Sequence, residues 1–223
     1  MYRMKKQASS IALIALAMGT SVANAGLATS LLWDDFDVLP NGHLGGAASF
    51  TAVIFNDPFA QGASFTLDTM FNSGSDAGAV FFNSGIGTEQ GASISYNQLG
   101  DQSTNSSMDF SALGAESFEI DFLLSDQVFD IEVIMTSASG TAHGVISVPA
   151  SMEYTASFIL GDLMVSPSFD FSNVSDVTFN FNLRDSAVAS LDFVATEIRL
   201  VVPNSGSMAL FSIGGVMMTR RRR

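Results

Sequence analysis

Residues 177–183 read VTFNFNL: Val177, Phe179, Phe181 and Leu183 stand at every second position, with Thr178, Asn180 and Asn182 between them. A period of two sends alternate side chains to opposite faces of an extended chain, so this stretch buries a Phe-rich face and wets an Asn/Thr face. The alternation recurs in Phe118 to Phe122 (FEIDF) and Phe129 to Val133 (FDIEV), and more briefly at Phe65–Leu67 and Ile94–Tyr96. Clusters of Asn, Ser, Gly and Asp at 72–76, 83–85, 100–107 and 139–140 punctuate these runs as turns. Strands are therefore expected near 49–56, 63–70, 78–83, 91–97, 117–124, 127–136, 143–148, 152–160, 176–183 and 189–201. The fold class that follows is all-β, an antiparallel β-sandwich with one wet face per sheet. It is expected to occupy residues 26–202 as one domain, jelly-roll-like, with helix only at the two ends of the chain.

Charge is distributed unevenly. Of nine basic residues, Arg3, Lys5 and Lys6 precede the domain and Arg220, Arg221, Arg222 and Arg223 follow it. Within 26–203 only Arg184 and Arg199 stand against all 22 acidic residues, a net charge of −20 without a single lysine. Nucleic acid is excluded as a partner, because a phosphate backbone requires a basic footprint. Self-repulsion on this scale favours a counter-cation, and calcium suits carboxylate and carbonyl oxygens. There is no cysteine, so disulfides and thiol chemistry are excluded. Nineteen Phe residues supply the core instead.

The two ends carry addresses. Arg3, Lys5 and Lys6, the apolar run Ile11–Met18 and the small residues Ala23 and Ala25 around Asn24 have the layout of a secretory signal peptide spanning 1–25, with cleavage before Gly26. At the other end, Met208 to Met218 would make about 16 Å of helix, against a hydrocarbon core of about 30 Å. Arg220 to Arg223 then act as a cytoplasmic stop. This motif, short apolar helix and basic end, spanning 203–223, resemble the PEP-CTERM class of sorting signals. Val202-Pro203-Asn204-Ser205-Gly206 is similar to the VPDSG variant and differs from it at Asn204. The resemblance implies an exosortase-like processing enzyme, passage through the secretion machinery, transient membrane insertion, and a final place in the cell envelope or extracellular matrix linked to exopolysaccharide.

A second resemblance concerns the core. Asp109 to Gly114 leading into FEIDF, Phe169 to Asp176 leading into VTFNF, and the closing stretch Leu191 to Leu200 resemble galactose-binding-like jelly rolls and the sugar-binding modules built on them. That resemblance implies a structural calcium between the first and last strands. The residues placed to hold it are Asp34, Asp35 and Asp37, with Asp192 on the closing strand expected to face them. It also implies an aromatic sugar platform. Trp33 is the candidate, with Tyr96 and Tyr154 as the other amphipathic rings and edge packing as the alternative reading of Trp33.

Catalytic patterns are weak. Glu119-Ile120-Asp121-Phe122 resembles the start of the catalytic strand of family 16 glycoside hydrolases, but Leu123 and Leu124 stand where the second Glu belongs. Alternation alone places Glu119 and Asp121 together on a wet face. His43 and His143 lack triad or zinc partners and are expected on surface loops, and Gly85-Ile86-Gly87 lacks the setting of a nucleotide loop. The functional expectation is a secreted, non-catalytic envelope or matrix protein associated with polysaccharide. The alternatives are a carbohydrate-binding module and a degenerate glycan hydrolase or lyase.

Overall fold

The computed structural model describes residues 29–36, 44–45, 48–69, 78–97, 99 and 107–202. The expected signal peptide with Ala23 and Ala25, the tail residues Pro203, Asn204, Ser205 and Gly206 with Arg220 to Arg223, and also Asp37 and His43, lie outside them.

Twelve strands are described: β1 (Thr29–Asp34), β2 (Ala48–Asn56), β3 (Ala63–Asp68), β4 (Ala79–Ser84), β5 (Glu89–Tyr96), β6 (Ser117–Ser125), β7 (Phe129–Ser137), β8 (Gly140–Val148), β9 (Ser151–Ile159), β10 (Met164–Val165), β11 (Val174–Phe181) and β12 (Asp192–Val202). They form two antiparallel sheets. The first runs β3-β4-β12-β6-β9, with β1 also paired to β12; the second runs β10-β8-β7-β11-β5-β2. The chain is thus an all-β two-sheet sandwich, as the alternation predicts. β7 shows why: its nine residues alternate strictly between buried and half-buried, with Phe129, Ile131, Val133 and Met135 inside.

Two strands escape the periodicity argument. β10 has only two residues. β1 places Leu31, Leu32 and Trp33 in succession, and its pairing with β12 shifts register between Leu32 and Asp34, so a bulge hides the period. A single helical turn, α1 (Phe110–Leu113), interrupts the strands between β5 and β6. Asp109 caps it, its carboxylate accepting from the Ala112 amide at 2.7 Å, and Gly114 ends it at φ 65°.

The core is aromatic. Phe193 stacks between Phe82 and Phe129, with centroids 4.8 and 5.0 Å away and ring planes within 7° and 5°. Trp33 packs edge-on against Phe118 at 4.9 Å and Tyr96 at 5.6 Å. Such contacts add about 0.5–1.5 kcal/mol per pair beyond burial. With most Phe side chains turned inward, the outward positions of both sheets carry polar residues among scattered apolar ones. Those two faces are where chemistry can occur.

Candidate functional site on the outer face of the second sheet

The outward residues of VTFNFNL open the site. The pairing of β11 with β5 and β7 sets Thr51, Ser93, Asn180 and Glu132 in one row across four strands. The adjacent row is Ser49, Ser95, Thr178, Ile134 and His143. Asn180 Nδ2 donates to Glu132 Oε2 at 3.0 Å, and Thr178 Oγ1 donates to Ser95 Oγ at 3.0 Å. These rows hold short hydroxyl and amide groups on a rigid sheet, with remaining donors and acceptors directed outward.

A cleft of about 460 Å³ covers the end of these rows, lined among others by Thr51, Val53, Phe55, Gly91, Ser93, Glu132, Asn180 and Arg184. Its wall is stacked in three layers. Gly91 leaves room for the Phe55 ring: a Cβ there would lie 2.5 Å from a ring carbon. The Arg184 guanidinium lies over that ring, 5.6 Å from its centroid. Arg184 itself is exposed, and the ion pairs described for arginine among the described residues belong to Arg199.

Asn182 holds the wall in place. It is fully buried and adopts φ 55°, a left-handed conformation that asparagine tolerates better than most residues. Its Nδ2 donates to the carbonyls of Gln90 at 2.7 Å and Val188 at 3.0 Å, and its Oδ1 accepts from the Val188 amide at 2.8 Å. The chain therefore reverses directly after β11, and the turn Arg184–Ser186 sits over the cleft.

The residues expected from sequence fall elsewhere. Trp33 is fully buried among Tyr96, Phe110 and Phe118, so it is a core residue and not a sugar platform. Tyr96 is fully buried as well; its hydroxyl donates to Asp34 Oδ2 at 2.7 Å, and burial, with the Asp34 charge and hydrogen bond, pushes the phenol well above its usual range. Tyr154 packs half-buried against the core. His143 lies within β8 opposite Ile134, not on a loop.

Asp34 and Asp192 are not brought together. Asp34 is buried, accepting from Tyr96 and from the Phe36 amide at 2.7 Å, and Asp35 is half-buried beside it. Asp34 pairs with Ile198 whereas Asp192 pairs with Asn83. The intervening stretch of β12 separates them by about 20 Å. Asp192 instead adjoins Asp126, whose carboxylate accepts from the Asp192 amide at 2.8 Å. No cluster of three or more potential metal ligands occurs among the described residues. Val202 is the last residue of β12, paired with Thr29.

Glu119 and Asp121 do share the outer face of the first sheet, and Arg199 occupies both. Arg199 Nη2 lies 3.2 Å from Glu119 Oε2 and 3.0 Å from Asp121 Oδ1, while Nη1 contacts Asp121 Oδ2 and lies 3.6 Å from Glu197. Thr155 Oγ1 donates to Asp121 at 2.7 Å. Burial would lower the Arg199 pKa, but the hydrogen bond and charge of Asp121, the hydrogen bond of Glu119 and the charge of Glu197 outweigh it and raise it. Both carboxylates are thus engaged by Arg199 on this face.

The sequence matches no protein-family model and no curated protein. Among solved structures, it resembles a family 11 carbohydrate-binding module from Clostridium thermocellum in complex with a β-1,3-1,4-mixed-linked tetrasaccharide. Identity is 15%, coverage 77% of this chain and 94% of that one, and the TM-score 0.45. It also resembles the family 30 carbohydrate-binding module of a cellulosomal cellulase of the same organism, at 12% identity, 77% and 96% coverage, and a TM-score of 0.44. A third likeness is to an exo-β-agarase, at 12% identity and a TM-score of 0.42, covering 69% of this chain but 23% of that one.

Proposed function

We propose that this jelly-roll-like sandwich is a non-catalytic module that binds a neutral, hydroxyl-rich polysaccharide in the cleft on its second sheet. The observation that carries the reading is the composition of that cleft. Thr51, Ser93, Asn180, Glu132 and Arg184 offer converging donors and acceptors beside the Phe55 ring, on a strand scaffold that needs no reorganisation. Glu132 and Asp185 outnumber Arg184 in its lining, and the domain carries −20, so polyanions are repelled. Glu119 and Asp121 on the other sheet are engaged by Arg199, so the cleft is the better candidate for a ligand.

The test is binding of the purified chain to a panel of neutral and acidic polysaccharides. Saturable binding to a neutral class is expected, weakened about tenfold by Arg184→Ala or Asn180→Ala, a change of about 1.4 kcal/mol. Absence of saturable binding, or variants that bind like the parent, would reject the reading. Release of reducing ends from any bound glycan would turn it toward a hydrolase.

The same proposal takes the chain to the cell envelope through its end segments. Thr29 and Val202 pair side by side, at the opposite end of the sandwich from the Asn182 turn, so the cleft lies away from both exits of the domain. Mass spectrometry of the chain recovered from a secreting host is expected to show a start at Gly26 and loss of Arg220 to Arg223. Intact ends would reject the processing.

A further inference from the structure

We infer that the free edge of β2 is a self-association surface, which pairs antiparallel with β2 of a second copy of this chain. Among the described residues five strands lie at sheet edges, and four of them are protected. β10 has two residues, β1 has six and bulges, β3 ends on Asp68, and β9 carries Glu153 at φ 55°. Short length, bulges and charge are the usual devices that keep an edge from pairing.

β2 has none of them along most of its length. It runs nine residues, ASFTAVIFN, pairs with β5 alone among the described strands, and shows a register shift only near its end, between Ile54 and Asn56. Thr51, Ala52, Val53 and Ile54 are exposed, Val53 at 53% and Ile54 at 48%. Ala52 shows that the edge is open: it is exposed although its cross-strand partner Ala92 is buried.

Charge selects a second copy as the occupant. Two domains carrying −20 each repel wherever their carboxylates meet. Residues 44–56 contain no ionisable side chain, so here two copies approach without that cost. The edge is also self-complementary. Full antiparallel overlap sets Ala52 of one copy opposite Ala52 of the other, Phe50 opposite Ile54 and Thr51 opposite Val53, pairing apolar with apolar and β-branched with β-branched. Thr51, Val53 and Phe55 also line the cleft, so pairing brings two clefts edge to edge on one continuous sheet face.

The absence of cysteine makes the test clean. Opposite residues of an antiparallel pair have Cα atoms about 4.5–5.5 Å apart, within disulfide reach. Light scattering of the full chain, without glycan, is expected to give twice the 23.5 kDa of one copy, and Ala52→Lys to return it to one copy. Under mild oxidation Ala52→Cys should form a covalent dimer, and Ser157→Cys on the exposed β9 edge should not. A single-copy mass at every concentration, or equal cross-linking through Ser157→Cys, would overturn the inference. Because no sugar is present, the result is independent of the proposed glycan binding.

Discussion

The outer faces of the two sheets each hold one of the two arginines of the domain and use it differently. On the first sheet, Arg199 is held by Glu119 and Asp121, with Glu197 close by, so its guanidinium is fully engaged inside the protein. On the second, Arg184 lies over Phe55 and lines the cleft, together with an Asn180–Glu132 pair that retains bonding capacity. The same residue type is structural where its partners are intramolecular and available for a ligand where they are not. Side-chain identity does not distinguish the two cases; cross-strand register does.

Changes at Asn182 should produce the largest break in this contrast. Asn182→Ala removes three hydrogen bonds to main-chain groups and puts alanine at a positive φ, an expected loss of about 3 kcal/mol in denaturant unfolding. Asn182→Gly relieves the backbone but not the bonds, so it should cost less while still weakening glycan binding. Equal stability of all three chains would show that the turn holds itself.

Arg199→Ala comes next. It leaves Glu119, Asp121 and Glu197 facing one another, at an expected cost of about 1–3 kcal/mol, between exposed and buried ion pairs. Glycan affinity should not change. Arg184→Ala should give the opposite pattern, with stability within about 0.5 kcal/mol and affinity down about tenfold. If both arginines moved the same quantity, the two faces would not be functionally distinct.

pH probes the first sheet more gently. Burial raises the Glu197 carboxyl against the opposing charge of Arg199, and burial with the Asp126 charge raises Asp192. The folded state therefore holds these protons to higher pH than the unfolded chain does. Stability falls as pH rises through the folded values and recovers as pH is lowered. The melting temperature is expected to rise as the pH is lowered from neutral toward the ordinary carboxylate range. Below about pH 4 the trend should reverse. Asp57, held low chiefly by the Gly62 amide, and Asp170, held low by Ser172, then lose their bonds as they protonate. A melting temperature that falls steadily from neutral pH would contradict this sign.

Chelation is the smallest effect. With Asp192 far from Asp34, chelator should leave the melt unchanged, whereas a drop of roughly 5–10 °C, as for loss of a bound ion at this domain size, would point to a cation held with help from residues such as Asp37.

Much of the fold could be read from alternation, because a buried face imposes its period on the chain wherever the strand is regular. FEIDF and FDIEV became β6 and β7 for that reason. β1 could not be read so, because its bulge breaks the period. The site was harder. Trp33 and Asp34 looked functional as an aromatic beside acids, yet their burial depends on Tyr96 and Phe118, which lie far away in sequence. Thr178, Asn180 and Asn182 were visible as the polar half of VTFNFNL, and Arg184 as one of two basic residues. Nothing in their order indicated that Thr51 and Ser93 would join them.

The sequence by itself determined the strand content, the acidic balance of the domain and the absence of cysteine, because these depend on composition and on local period. Tertiary structure alone decided which polar residues share a face, which arginine is spent, and which edge is left open. Those are properties of register between distant strands, and a register is chosen by how whole faces pack, not by any one segment.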